Sequence, residues 1–336
     1  MSDANFTLSL HADFEDNGTT INYTDIFEYE IDVTLNQIGF PISTNEIRSS
    51  PLVIDINNDG NNEIIFGDYT GVIHIFNYDG TELINNTFPF DTENSIWGSS
   101  AGADIDLDGY LDFVIPSKNK HLYIFDHSGI KLNYETDLYL IGTPAIGNIN
   151  DNETLEIVFS GYSTNNKLFA IDIDGNNVNG FPIHINEKAK AGPALADFND
   201  NGKDDIVLGT DNNHVHLFYD DGTEAAGFPF VTDDKIQVAP SILDLNGEKI
   251  IFVSCNDNIF YAINADGSLR FSIITNDRVD TSPAFLEINE TIYVAFGSRD
   301  NHIYIIDTNG NALSNWPILV NDNIEGGIIS ADVDND

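Results

Sequence analysis

An internal repeat restricts the fold of this chain more than any other feature. The stretch SSPLVIDINNDGNNEIIFGDYTGVIHIFNYDGTELINNTFPF, residues 49–90, returns five more times in recognisable form. The residues that open its polar loop, Asp55, Asp104, Asn148, Asp197, Asp244 and Glu287, follow one another at intervals of 43 to 49 residues. A period of that size belongs to propeller blades or to helical arrays. Each unit contains short runs rich in Ile, Val, Phe and Tyr, separated by clusters of Gly, Asn and Asp, which is a strand-and-turn pattern and excludes helical repeats. Within a unit we read strand A (SPLVIDI), the polar loop, strand B (EIIFG), a turn, strand C (VIHIFN), a DG or NG turn, and strand D ending in TFPF. Four antiparallel strands at this repeat length predict an all-β fold, a β-propeller.

The strand D ending recurs at residues 180–183, 227–230 and 315–318, and once before the first unit, as GFPI at 39–42. At the other end GGIISADVDND, residues 326–336, opens a seventh unit and stops inside its polar loop. The expectation is a seven-bladed ring of four-stranded antiparallel blades over residues 34–336. Its last blade is incomplete, and residues 34–42 supply the outer strand that closes the circle. The chain then reads as truncated at its C-terminus and as a fragment of a larger protein. Residues 1–33 alternate like strands (FTLSLHADF, IFEYEIDV) without the blade pattern; they are either the closing hairpin of a preceding β-sandwich or an extra hairpin on the propeller.

Composition narrows the partners. A hydrophobic share of 41% in 336 residues is enough for a real core. With 13 basic against 55 acidic residues, the formal charge of −42 repels nucleic acid and anionic lipid and attracts cations. The single cysteine, Cys255, excludes an intramolecular disulfide framework and a cysteine zinc site. No basic and apolar leader opens the chain and no apolar run is long enough to span a bilayer, so no membrane span is expected.

The polar loop DINNDGNNE carries the chemistry. It sets acids and amides at its first, third and fifth positions, Gly at the sixth and an acid at the ninth. A hard cation such as calcium takes six to eight oxygens at about 2.3–2.6 Å. Side chains at positions one, three and five of a tightly wound loop point inward, position seven offers its carbonyl, and the ninth residue returns a carboxylate from strand B. Gly at the sixth permits the positive φ of the turn. An EF-hand is rejected, because position twelve is Phe66, Ile115 or Leu208, in strands rather than at a helix.

With the Phe-Gly that follows in strand B, this loop resembles the FG-GAP or VCBS repeats of calcium-binding propellers, related to the integrin α-subunit head, over about residues 39–336. The resemblance implies Ca2+ ligands. In the first loop they are Asp55, Asn57, Asp59 and Glu63, with the Asn61 carbonyl. In the second they are Asp104, Asp106, Asp108 and Asp112, with the carbonyl of Tyr110. In the fourth they are Asp197, Asn199, Asn201 and Asp205, with that of Lys203. The third loop keeps the oxygens of Asn148, Asn150, Asn152 and Glu156 but has Glu153 in place of Gly. Units five (DLNGEK) and six (EINETI) have shortened loops and are expected to bind nothing there. Ligand charge orders the expected affinities as second, first, fourth, third. The same resemblance implies a non-catalytic scaffold, adhesion or ligand-binding module, monomeric, in a secreted or cell-surface bacterial protein; outside cells calcium is plentiful enough for weak sites.

In this strand order the A–B and C–D loops share one face, and the B–C and D–A loops the other. Nine of the thirteen basic residues fall in or beside the second set: Arg48, Lys118, Lys120, Lys167, Lys188, Lys190, Lys235, Arg278 and Arg299. Tyr69 and Trp97 fall there too. Arg48, Tyr69, Trp97, Lys118, Lys120, Lys190 and Arg299 are therefore candidate contacts for an acidic polysaccharide or a carboxylate-bearing protein. The competing reading is that these cations offset local acids such as Asp233, Asp234, Asp277 and Asp300. His121, His214 and His302 share one register at the start of strand C and read as a feature of the repeat consensus. No G-x-S-x-G, H-E-x-x-H or Cys-His context is present. The catalytic alternative is a calcium-dependent polysaccharide lyase; another role is accessory domain of a secreted peptidase.

Overall fold

The computed structural model describes residues 2–16, 19–33 and 39–331. The chain divides into two compact units, residues 1–43 with 78–81, and residues 44–77 with 82–336. In the first, Ser2–Asp16 pairs antiparallel with Thr19–Val33, in unbroken register from Ser2 opposite Val33 to Asp16 opposite Thr19. The closing strand expected at residues 34–42 lies partly outside the described residues. Its described part, residues 39–42, belongs to this first unit and forms a turn and bend rather than a strand.

Among its described residues the second unit contains six sheets, each of four strands hydrogen-bonded in chain order and antiparallel throughout. Blade one comprises Leu52–Ile54, Glu63–Gly67, Val72–Phe76 and Phe90–Asp91. Blade two comprises Ala101–Ala103, Asp112–Pro116, His121–Asp126 and Gly129–Glu135, and blade three Ala145–Gly147, Glu156–Ser160, Lys167–Ile171 and Ile183–His184. Blade four comprises Ala194–Ala196, Asp205–Gly209, His214–Phe218 and Phe230–Val231. Blade five has Ser241–Leu245, Glu248–Ser254, Ile259–Asn264 and Leu269–Ile274; blade six has Ala284–Ile288, Thr291–Ser298, His302–Asp307 and Ile318–Leu319. Strand A touches strand A of the next sheet from blade one to blade five, so the A strands are where successive blades meet most closely.

Strand B is buried along its whole length in blades two, three and four. The reason lies in the direction of alternate side chains. Ile157 and Phe159 of blade three pack on Val114 and Ile124 of blade two, while Val158 between them packs on Ile206 and Leu208 of blade four. Ile251 and Val253 of blade five face Val207 of blade four, while Ile250 and Phe252 face Val294 and Phe296 of blade six. Each central strand has a neighbour on both faces, which is why these runs are apolar at every position rather than at every second one. The hydrophobic core is a series of layers between blades.

Strand D departs from the expected form. The sequence pattern ends it in the aromatic-Pro motif, but in blades one, three, four and six it is a two-residue strand that starts after the motif, preceded by one isolated bridge such as Phe76 with Glu82 or Phe218 with Glu224. The bonds Phe88-Pro89, Phe181-Pro182, Phe228-Pro229 and Trp316-Pro317 are cis. Proline has no N–H to give to the ladder, so pairing resumes only beyond it. Blades two and five lack the motif and keep strand D continuous, over Gly129–Glu135 and Leu269–Ile274.

Six complete sheets, not seven, are present among the described residues. Residues 326–331, read as the inner strand of a seventh blade, form no strand. They lie along blade six, where the Ile328 N–H donates to the Ser282 carbonyl (3.3 Å) and the Ser330 hydroxyl to that of Phe285 (2.7 Å). An A segment is held as a strand by its B neighbour, and the described residues offer none here.

Candidate functional site

Three of the four long A–B loops turn through the same device. The backbone passes through positive φ at the fourth and sixth positions in the first loop (Asn58, 56°; Gly60, 88°), the second (Leu107, 61°; Gly109, 92°) and the fourth (Asp200, 57°; Gly202, 85°). In the first loop the Asp55 carboxylate accepts from the N–H groups of Asp59 (3.1 Å) and Gly60 (2.8 Å), and Asn57 and Asp59 cap the amides two residues on. Glu63 returns from strand B to accept from the Ile56 N–H (3.1 Å) and to face Asn57. Burial pushes the Glu63 carboxyl upward, and the charges of Asp59 and Asp55 add to the effect.

The second loop is the most concentrated. Asp104, Asp106 and Asp108 bring one carboxylate oxygen each to within 4.8 Å of the others. Each is also engaged by the protein. Asp104 accepts from the Gly109 N–H (3.0 Å), Asp108 from that of Tyr110 (2.9 Å), and Asp106 from the Lys131 ammonium (3.0 Å). Oδ1 of Asp104 and Oδ1 of Asp106 are buried and meet no donor. Asp112 closes the loop from below, accepting from the Ile105 N–H (2.9 Å). Burial, followed by the charges of Asp106 and Asp108, pushes its carboxyl up to about 6. Buried carboxylate oxygens without donors, gathered around one point, form the donor set that a hard cation takes. The residues present therefore fit calcium. The Tyr110 ring stacks on His127 at 4.2 Å, which leaves its backbone as its contribution to the loop.

In the fourth loop Asp197 accepts from Asn201 and Gly202, and Asp205 from Phe198 (2.8 Å) and Asp220 (2.9 Å). Burial pushes Asp205 up to about 6. The Lys203 side chain turns away to Asp220, at 2.5 Å. The third loop is engaged differently. Asn148 donates its amide to the Gly202 carbonyl (2.9 Å) and its N–H to Asp204 (3.0 Å), both in the next blade, and Asn150 is spent on Glu156 (2.5 Å). Asn152 caps the Thr154 N–H at 3.0 Å. Blades five and six replace the loop with two-residue turns, Asn246-Gly247 and Asn289-Glu290, with positive φ at both residues. That is the turn whose twist matches the flanking strands.

On the other face the basic residues separate into two kinds. Arg299 is neutralised, by Asp280 and by Glu325 (2.9 Å), and Arg48 pairs with Glu46 (2.7 Å). Asp277, one of the local acids named from the sequence, adds to the field on Arg299. Lys118 instead lies over the Trp97 ring at 4.0 Å and Lys120 over Tyr139 at 5.7 Å; neither makes an ion pair among the described residues. Arg48 also covers Tyr69 (4.4 Å) and Trp97 (5.0 Å), whose rings stack at 6.3 Å. A cavity of 280 Å3 is lined by Arg48, Trp97, Ile141, Lys190 and Gln237. These five residues occupy one repeat position, four before the start of strand A in blades one to five. Three candidates, Arg48, Trp97 and Lys190, thus converge from three blades, while Arg299 is held apart on its acids.

The same architecture occurs in solved structures. BamB from Moraxella catarrhalis matches over 84% of this chain and 77% of its own, at 13% identity and a TM-score of 0.59. BBS1N in complex with ARL6DN matches over 86% and 85%, at 11% identity and 0.54; the WD40 β-propeller domain of Doa1 matches over 84% and 86%, at 9% and 0.53. The fold is a β-propeller. At these identities the likeness concerns fold alone. No protein-family model matches the chain, and no curated protein sequence matches it. The likeness of the propeller's loops to FG-GAP and VCBS repeats rests on the residues themselves.

The sequence reading passed over one cluster of this propeller. His121 meets Asn133 (2.5 Å) and His302 meets Asp300, but His214 meets Glu187 at 2.8 Å together with a second imidazole, His216. Glu187 sits in the D–A loop before blade four, 27 residues from His214. The visible signal was His-x-His in strand C, since residues two apart in a strand share a face.

Proposed function

We propose that this propeller is a calcium-stabilised, non-catalytic scaffold whose A–B loops bind Ca2+ and whose B–C and D–A face receives an acidic partner. The observation that carries the calcium reading is the second loop, with three carboxylates around one point and two buried oxygens that have no donor. Asp104, Asp106, Asp108 and Asp112 would hold the ion with the Tyr110 carbonyl. Bound calcium would replace the mutual repulsion of these carboxylates with attraction and tie strand A to strand B. Calorimetric titration with Ca2+ should give dissociation constants of about 10⁻⁴–10⁻³ M, the range of extracellular modules. Such affinities support a secreted or cell-surface setting; sub-micromolar sites would argue against it. Asp104→Asn with Asp108→Asn should abolish the strongest site, and unchanged binding would reject the assignment.

The partner reading rests on Lys118 and Lys120, which lie over aromatic rings without acids, and on the cavity that Lys190 shares with Arg48 and Trp97. Cations on aromatic platforms suit a carboxylate-bearing sugar or peptide. BBS1N, a structural neighbour, is described in complex with ARL6DN, in keeping with a scaffold role. Lys118→Glu with Lys190→Glu should weaken binding to uronate glycans on an array at least tenfold. Cleavage of a polyuronate by the wild-type chain would favour the lyase instead.

A further inference from the structure

We propose that Glu187, His214 and His216 form a second class of metal site in blade four, one for a zinc-type divalent transition ion. One ligand atom from each lies within 4.8 Å of the other two. Nδ1 of His214 is 2.8 Å from one Glu187 oxygen and Nε2 of His216 is 3.2 Å from the other, so both imidazoles turn a nitrogen towards the same carboxylate. Ligand atoms around a tetrahedral zinc with bonds of about 2.0–2.1 Å sit roughly 3.3 Å apart. Small side-chain rotations connect the two arrangements. Two imidazoles and one carboxylate suit zinc-type ions, whereas the oxygen-only A–B loops suit calcium.

The outer contacts are those of a built metal site. The far nitrogen of His216, Nδ1, meets Glu224 at 2.6 Å, and the Thr210 hydroxyl donates to Glu187 at 2.6 Å. A carboxylate behind an imidazole ligand sets its orientation and raises its basicity, and a hydrogen bond donated to a ligating carboxylate fixes its orientation and favours its ionised form. The His216 side chain is 8% exposed and that of His214 29%, so the cluster is anchored on one side and reachable from solvent on the other. Three protein ligands with an accessible fourth position match an open zinc geometry.

Blade one supplies an internal control. There His74 meets Glu82 at 2.6 Å and Asp68 at 3.4 Å, which reproduces the imidazole held between two carboxylates. The residue at the register of His214 is Val72. The hydrogen-bonded pattern therefore stands without a second histidine, and His214 is what converts it into a ligand set.

The test is titration of Co2+ into the full chain in buffer with excess Ca2+, which keeps the A–B loops saturated and separates this site from the calcium reading. One Co2+ per chain should bind with a visible ligand-field absorption band, and Zn2+ should displace it. Glu187→Gln and His214→Val, the latter placing the blade-one residue in blade four, should remove the band and weaken binding at least tenfold. His74→Ala should leave it intact. Circular dichroism and thermal unfolding without metal should show both variants folded as wild type. Absence of a band at one equivalent, or His214→Val binding within twofold of wild type, would overturn the proposal.

Discussion

At the scale of single residues, Asp68 shows how a buried charge can stabilise this chain. Burial alone would push its carboxyl up, but hydrogen bonds from Asn45, Thr70, the Val72 N–H and His74 outweigh that and hold it at about 2, against an ordinary 3.8. The depressed folded value means that its contribution is present above pH about 4 and is lost as pH falls towards 2. Asp68→Asn should cost about 2 kcal/mol at neutral pH, from the size of the shift. Urea unfolding at pH 7 and pH 2 tests this, since the difference between variant and wild type should shrink at the lower pH. Asp68 was not legible as special, because DYTG reads as one more polar turn; its donors arrive from residues 23 positions upstream as well as from the turn itself. The ninth-position acids were legible, and folding adds that Glu63, Asp112, Glu156 and Asp205 are all buried.

At the level of the element, the A–B loop is the unit on which the proposed calcium binding rests, and strand D is where the blades are irregular. Stepwise removal of carboxylates should reproduce the ranking second, first, fourth, third; calorimetry that finds the third loop tightest would contradict it. Gly109, at φ 92° with open space where a Cβ would go, tests the loop's conformation separately from its charge. Gly109→Ala should cost about 1–2 kcal/mol through left-handed backbone strain alone and weaken calcium in the second loop. Thermal unfolding with and without Ca2+ separates the two effects. Loop spacing was readable because its chemistry is local, whereas the break in strand D was not, since a Pro in a strand ending does not say on which side of it the ladder lies.

At the scale of the whole molecule, cohesion lies between blades. Phe260 of blade five stacks on Phe296 of blade six at 4.0 Å, both fully buried. Phe260→Ala should destabilise the propeller by about 3–5 kcal/mol, measured by urea unfolding. With a formal charge of −42, the calcium-free chain repels itself, so a chelator should lower the melting temperature and added salt should restore part of the loss. The sequence by itself determined the strand class, the repeat, the places of the polar loops and the sign of the field, because period, turn chemistry and charge are local properties. The packing of the blades added the convergence of Arg48, Trp97 and Lys190 on one cavity, and the meeting of Glu187 with His214 and His216. Those depend on which blade edges come together, and side chains from different blades are brought into contact by packing rather than by spacing.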